Sequence, residues 1–183
     1  MTLYKFSLAV VLFEEVPGAE QALRLCLEEY KRHDVELLPE FFYDELPEDF
    51  YDHLRGQYSA EHLLRWLAAS YTEHDKVLGL LAQDIYIPGT NFVFGVAELE
   101  GRAAVVSAYR LARACPPARA VLRLGKEMVH ELGHTFGLEH CEDPRCVMSF
   151  SACIADVDRK GIELCKLCSS RLAELLYYQR TRK

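Results

Sequence analysis

The stretch HELGHTFGLEHCEDPRCVM, residues 130–148, concentrates histidines, glutamates and cysteines in one short segment that ends on a methionine. Its first two histidines, His130 and His134, are four residues apart, so on an α-helix they lie on one face, one turn apart. This spacing is typical of two imidazole ligands of a single tetrahedral zinc ion. The segment therefore predicts a helix that carries a metal site.

Gly137 predicts where this helix ends, because glycine adopts the left-handed conformation at the least cost. The chain can then turn back and bring His140 to a third ligand position. Three neutral nitrogens leave a fourth position for water, whose pKa zinc lowers toward about 7. Glu131 is offset around the helix and can act as the general base that later delivers a proton to a leaving amine. We therefore predict a catalytic zinc site of His130, His134 and His140.

The alternative for these residues is a helix with surface histidines and no metal. The glycine and the third histidine, at fixed offsets from the first two, favour the metal site over that alternative. Glu139 and Glu142 flank the third histidine, and we interpret both as solvated surface charges.

Four cysteines form a second constellation, since Cys141 and Cys146 are spaced as CxxxxC and Cys165 and Cys168 as CxxC. Two such pairs can close a tetrahedral site with no open position, which predicts a structural zinc whose charge four thiolates neutralise. A redox role for the CxxC pair is the alternative, because the pair opens a helix and helix N-termini lower thiolate pKa values. The presence of the second cysteine pair favours the structural zinc site over the redox role. Cys153 is a possible substitute ligand, although we expect a small buried side chain.

The composition narrows the class of protein. The chain has 183 residues, 50% of them hydrophobic, and a formal net charge of −7. These values favour one globular domain. Within it, the pattern along the chain indicates an α/β N-terminal part over about residues 1–137 and a zinc-binding C-terminal part over about 138–183. The sequence shows no basic patch of the kind that binds nucleic acid. The apolar run 8–13 is too short to span a membrane. Without an export signal, clustered cysteines indicate a reducing, cytoplasmic location.

Hydrophobic periodicity predicts an α/β chain. The predicted strands cover 4–13, a short segment that starts at Val35 and ends at Pro39 or just past it, and 76–87, followed by an adjacent pair at 92–100 and 102–111. The predicted helices cover 19–33, 59–74, 118–136 and 165–183.

The segments HELGHTFGLEHC, CVM and CKLC, with the CxxxxC spacing, resemble the archaemetzincins, a family of small metzincins. The resemblance implies an α/β (α+β), zincin-like fold with an active-site helix and a mixed, mostly parallel sheet that has an antiparallel edge strand. Met148 would form the methionine turn, an apolar base under the zinc site. Residues 92–99 are our candidate for the edge strand, where an extended peptide could pair, with an ordinary interior strand as the alternative.

Two classes of function follow from these motifs. The resemblance implies a zinc-dependent metallopeptidase with two zinc ions per chain, one catalytic and one structural, and it suggests action on short peptides from the N-terminus. The alternative is a zinc-stabilised binding or regulatory module with a vestigial histidine site. Glu131 favours the peptidase, because a module that only binds needs no base beside the water position.

Overall fold

The computed structural model describes residues 3–181. The strands are β1 (Tyr4–Leu12), β2 (Val35–Tyr43), β3 (Tyr51–Asp52), β4 (Gln57–Ser59), β5 (Lys76–Leu81), β6 (Ile85–Tyr86), β7 (Gly95–Ala97) and β8 (Ala103–Ser107). The helices are α1 (Ala19–Lys31), α2 (Ala60–Ser70), α3 (Pro117–Thr135), α4 (Ile154–Arg159) and α5 (Lys166–Thr181). Arg182 and Lys183, at the end of the predicted C-terminal helix, lie outside the described residues.

Five strands form the main sheet in the order β2–β1–β5–β8–β7. The first four are parallel to their neighbours, whereas β7 pairs antiparallel with β8 at the edge. The mixed sheet with an antiparallel edge strand is thus confirmed. The edge strand is shorter than the predicted 92–99, because Val93 leaves the main sheet and bridges to Ile85 instead.

Alternation along β1 explains why the sheet is covered on both faces. Leu8, Val10 and Leu12 point into a core shared with α1, α3 and α5. The intervening residues Ala9, Val11 and Phe13 point into a second core against α2. Successive strand residues face opposite sides, so a continuous apolar run requires helices on both faces. The residues over 3–181 include no helix with both the length and the apolar character needed to cross a bilayer.

The predicted strand at 76–87 is in fact two strands in two sheets. β5 ends at Leu81, and β6 joins a small sheet with the order β3–β4–β6. Between them lies the buried Asp84, which accepts hydrogen bonds from Arg110 at 2.7 and 2.8 Å and from Gln57 at 2.9 Å. A buried carboxylate needs such partners, and Asp84 finds them at the point where the chain passes from one sheet to the other.

No sequence pattern predicted α4, because its six residues are too few to display a helical period. The expectation of a buried Cys153 was wrong, because this residue precedes α4 as its N-cap and is exposed. Its thiol donates to Asp156 Oδ2 at 3.3 Å, in a capping arrangement with the first turn of the helix.

Candidate active site

Helix α3 begins with a proline in its first turn and ends where the sequence predicts. Gly137 has φ +97°, and its N–H donates to the carbonyl of His134 at 2.9 Å. The N–H of Leu138 then donates to the carbonyl of Gly133 at 3.0 Å. These bonds close the helix and reverse the chain, and the reversal carries His140 back toward α3.

The three predicted histidine ligands meet in one cluster. One ring nitrogen from each of His130, His134 and His140 lies within 4.8 Å of the others. The Nε2 atoms of His130 and His134 are 3.1 Å apart. Tetrahedral zinc with bonds of about 2.0 Å would separate two nitrogens by about 3.3 Å, so the donor set fits this metal.

Backbone carbonyls fix the orientation of two of these rings. His130 Nδ1 donates to the carbonyl of Val147 at 2.8 Å, and His134 Nδ1 donates to that of Leu138 at 2.7 Å. Because a carbonyl only accepts, each Nδ1 carries the proton and each Nε2 is left with a free lone pair, as in histidines that bind metal. Burial, reinforced by the Lys160 ammonium, holds the pKa of His130 well below its ordinary value. Burial also lowers the pKa values of His134 and His140, which favours neutral imidazoles.

Glu131 is 5% exposed and faces the cleft next to the histidine cluster. Burial, followed by the negative charge of Glu127, raises the pKa of this carboxyl well above its ordinary value. A Cβ atom at Gly95 of β7 would lie only 2.6 Å from Glu131 Cγ and 2.7 Å from its Oε1. Glycine at this position therefore lets the edge strand lie directly against the predicted base.

Met148 packs against the middle of the same helix segment. It is fully buried, and a Cβ atom at Gly133 would lie 2.5 Å from its Sδ atom. Gly133 stands immediately before His134, so the methionine contacts the helix directly below the histidines. This packing is compatible with the methionine turn, which stays a prediction.

The four predicted cysteines form the second cluster, again with their ligand atoms within 4.8 Å of one another. The Sγ atoms of Cys141 and Cys165 are 3.7 Å apart, as are those of Cys146 and Cys168. Zinc–sulfur bonds of about 2.3 Å in a tetrahedron would separate the sulfurs by about 3.8 Å. Burial raises the pKa of Cys146 to about 11 and also raises the pKa of Cys168. Such thiols ionise together only beside a cation, so the cluster fits a dication.

Two short backbone connections join the clusters. His140 belongs to the histidine cluster and the next residue, Cys141, to the cysteine cluster. Cys146 likewise precedes Val147, whose carbonyl accepts from His130. The N–H of Cys141 also donates to the carbonyl of Met148 at 2.9 Å, which closes the loop between them. The segment that holds the histidine rings is therefore anchored by the cysteines.

The histidine cluster opens into a cleft of about 620 Å³ between α3, β7 and the segment after Met148. Sequence reasoning missed three residues here. Glu127 lines the cleft and pairs with Lys160 at 2.9 Å, with both side chains buried. Phe150, 63% exposed, has its ring 5.3 Å from that of His140. Glu127 could have been found, since it lies one helical turn before His130 and Glu131; Lys160 belongs to no motif.

Comparison with known proteins agrees with this geometry. The model of peptidase family M54 matches residues 10–174. The archaemetzincin of Methanopyrus kandleri is 48% identical over 135 residues, which cover 74% of this chain and 72% of that protein. That of Haloquadratum walsbyi is 42% identical over 148 residues, covering 76% and 80%.

Solved structures agree in fold. The crystal structure of the Methanopyrus kandleri archaemetzincin matches with a TM-score of 0.89 at 41% identity, covering 94% of this chain and 96% of that one. The Archaeoglobus fulgidus archaemetzincin, crystallised with malonate, matches with a TM-score of 0.76 at 33% identity, covering 90% and 99%. The predicted zincin-like fold is therefore confirmed. The chain belongs to peptidase family M54, the archaemetzincins, and is a zinc metallopeptidase.

Proposed function

We propose that the chain hydrolyses peptide bonds with a zinc ion held by His130, His134 and His140 and with Glu131 as the general base. The observation that carries this proposal is the convergence of three neutral imidazoles beside a buried carboxyl group. When bound, zinc would supply Lewis-acid polarisation of water and of the peptide carbonyl. Glu131 would accept the proton of the attacking water and donate it to the leaving amine.

Other residues of the chain prepare these groups. The carbonyls of Val147 and Leu138 hold the rings of His130 and His134 with the Nε2 atoms toward each other. The raised pKa of Glu131 suits a carboxyl group that must hold a proton between the two steps. On its outer side, β7 offers an edge to which an extended peptide can add as a further strand. Gly95 keeps that edge close to Glu131.

The experiment compares the zinc-loaded wild type with Glu131→Gln on a broad library of short peptides. We expect hydrolysis to fall by about 100- to 10,000-fold in the variant, the usual contribution of a general base, while zinc content stays equal. Glu142→Gln is the matched control, because Glu142 is exposed and does not line the cleft. It should keep the wild-type rate.

Equal inactivity of wild type and Glu131→Gln, with zinc bound in both, would refute hydrolysis and favour the rival class. That rival is a zinc-stabilised binding module in which the histidine site is vestigial. The two hypotheses differ in the rate of peptide hydrolysis. A peptidase loses this activity when the Glu131 charge is removed, whereas a binding module has no such activity to lose.

We also propose a second, structural zinc at Cys141, Cys146, Cys165 and Cys168, supported by the two sulfur separations of 3.7 Å. We expect protein purified without chelators to contain two zinc ions per chain by elemental analysis. A mild chelator should remove one ion first with little change in folding, because the histidine site keeps an open position. Removal of the second should unfold the C-terminal part. One zinc per chain under these conditions would contradict the two-site proposal.

For the mode of cleavage we propose an aminopeptidase that acts on short peptides. Glu139 supports this mode, because its carboxylate is exposed, lines the cleft and stands beside His140, where it can pair with a free amino terminus. Each substrate should be cleaved faster than its N-acetylated form, and Glu139→Gln should narrow that difference. Equal cleavage of free and acetylated peptides would instead indicate an endopeptidase.

A further inference from the structure

The cleft contains two buried polar atoms that have no hydrogen-bond partner. They are Oε1 of Glu127 and Oγ of Ser151, and both residues line the cleft. Glu127 is 3% exposed. A buried acceptor or hydroxyl without a partner is destabilising, and native proteins keep few of them. Two such atoms in one cleft are available as hydrogen-bond partners for a bound ligand.

The ion pair with Lys160 leaves Oε1 of Glu127 able to accept a hydrogen bond. Lys160 Nζ lies 2.9 Å from Glu127 Oε1, but the carboxylate oxygen accepts no hydrogen bond of good geometry. The ammonium donates instead to the carbonyl of Ser149 at 3.4 Å, and it also lies 3.5 Å from the protonated Nδ1 of His130. The Lys160 side chain is 1% exposed and lies behind Glu127, so only the carboxylate faces the cleft.

The walls around these two atoms are apolar and aromatic. Ile87, Phe92, Phe94 and Phe150 line the same cleft. A side chain that fills it therefore needs an apolar stem and a hydrogen-bond donor at its tip. Because the buried ammonium already offsets the charge of Glu127, a neutral donor suits the site better than a second cation, which would be desolvated without a counter-charge of its own.

Glu127 also stands close to the reacting groups along the helix. It precedes His130 and Glu131 by about one turn, which advances about 5.4 Å, so a side chain that reaches it belongs to a residue next to the bond being cleaved. We propose that Glu127 and Ser151 form the polar end of a substrate subsite that selects an uncharged, donor-tipped side chain, with tyrosine and glutamine as the natural examples. This inference rests on the proposed function, because it assigns a substrate class to the same site.

The test measures binding rather than turnover. Zinc-loaded Glu131→Gln protein is titrated with short peptides that carry tyrosine or phenylalanine at one position in an otherwise alanine sequence, each position in turn. At one position we expect the tyrosine peptide to bind about tenfold more tightly than its phenylalanine partner. At that position glutamine should bind more tightly than methionine, and lysine more weakly than tyrosine.

Two variants in the Glu131→Gln background localise the effect. Ser151→Ala should reduce the preference for tyrosine, and the combined change Glu127→Leu with Lys160→Met, which leaves no unpaired buried charge, should bring the ratio to about one. Ser170→Ala, at an exposed serine of α5, is the matched control and should keep the full ratio. Melting temperature and zinc content are measured for each protein.

Three outcomes overturn the inference: no peptide binds, the tyrosine-to-phenylalanine ratio is near one at every position, or folded Ser151→Ala protein keeps the full ratio. Failure of the proposed function would give a different result. The wild type would then hydrolyse no peptide, while the preference for tyrosine in binding would persist. If the wild type hydrolyses peptides but shows no preference for tyrosine in binding, the subsite is refuted and the proposed function stands.

Discussion

At the scale of single residues, Gly133 is a position where the absence of a side chain decides the packing. A Cβ atom there would lie 2.5 Å from Met148 Sδ and 3.0 Å from its Cε, and Met148 is fully buried. Glycine in a helix is unfavourable by about 1 kcal/mol relative to alanine. Glycine at this position therefore lowers the helix propensity but allows the helix and the methionine to be in direct contact.

We expect Gly133→Ala to lower the free energy of unfolding by about 1–2 kcal/mol, because overpacking outweighs the gain in helix propensity. Chemical denaturation of the zinc-loaded protein measures this change. Gly125→Ala in the same helix is the comparison, since its Cβ would meet the Ala22 carbonyl oxygen at 3.2 Å and Ile162 Cδ1 at 3.4 Å, contacts that are tight but less severe than the 2.5 Å contact at Gly133. If Gly133→Ala is as stable as Gly125→Ala, the Met148 contact does not have the role assigned to it.

Sequence reasoning worked best for residues whose partners are near in the chain. His130, His134, Gly137 and His140 follow from helix geometry and one turn, and the structure brings the histidines together. Lys160 could not be predicted, because only tertiary packing brings it to Glu127.

At the scale of secondary-structure elements, the segment from Cys141 to Met148 connects the two clusters. It contributes two thiols to one cluster and, through the carbonyl of Val147, orients His130 in the other. The N–H of Val147 also donates to the carbonyl of Glu163, just before the CxxC pair. This arrangement makes the position of the histidine rings depend on the cysteines.

We therefore expect Cys168→Ser to weaken zinc binding at the histidine cluster by about 10- to 100-fold, the usual effect of disturbing groups that orient metal ligands. Competition with a chromophoric chelator measures the affinity of that site. Cys153→Ser is the matched control, because this exposed cysteine belongs to neither cluster. Unchanged affinity in a folded Cys168→Ser protein would show that the clusters are independent.

Elements were predictable where one periodicity ran uninterrupted, as in α1, α3 and β1. The predicted strand at 76–87 is two strands, and the observed strand within 92–99 is shorter than predicted. At these places Asp84 and Val93 make contacts with other parts of the chain. Local patterns carry no information about such pairings. The edge position of β7 came from the family resemblance and not from the strand itself.

At the scale of the whole molecule, Lys76 links the sheet to the end of α3. It is 6% exposed, and its Nζ donates to the carbonyls of Gly101 at 2.8 Å and Thr135 at 2.7 Å. The same atom lies 4.5 Å from the centre of the Phe136 ring. Burial lowers the pKa of Lys76 from 10.5 to about 8.

This shift predicts how the stability of the fold depends on pH. Between about 8 and 10.5, the unfolded chain keeps a proton on Lys76 that the folded chain has lost, so unfolding takes up a proton. The free energy of unfolding of the wild type relative to Lys76→Met should therefore rise with pH across this window and stay constant below it. Denaturation at a series of pH values measures it, with Lys31→Met, at an exposed position, as the matched control. A relative stability that falls with rising pH would contradict the assignment.

If both proposed zinc ions bind, the adjacency of His140 and Cys141 predicts an order of assembly for the newly made chain. Thiolates bind zinc tightly, and closure of the cysteine cluster would set the backbone that carries the third histidine. Under zinc scarcity, a folded but inactive population with the cysteine cluster filled should accumulate, whereas the reverse occupancy should not. Maturation of the peptidase would then respond to zinc supply in two stages, the first giving a stable chain and the second giving activity.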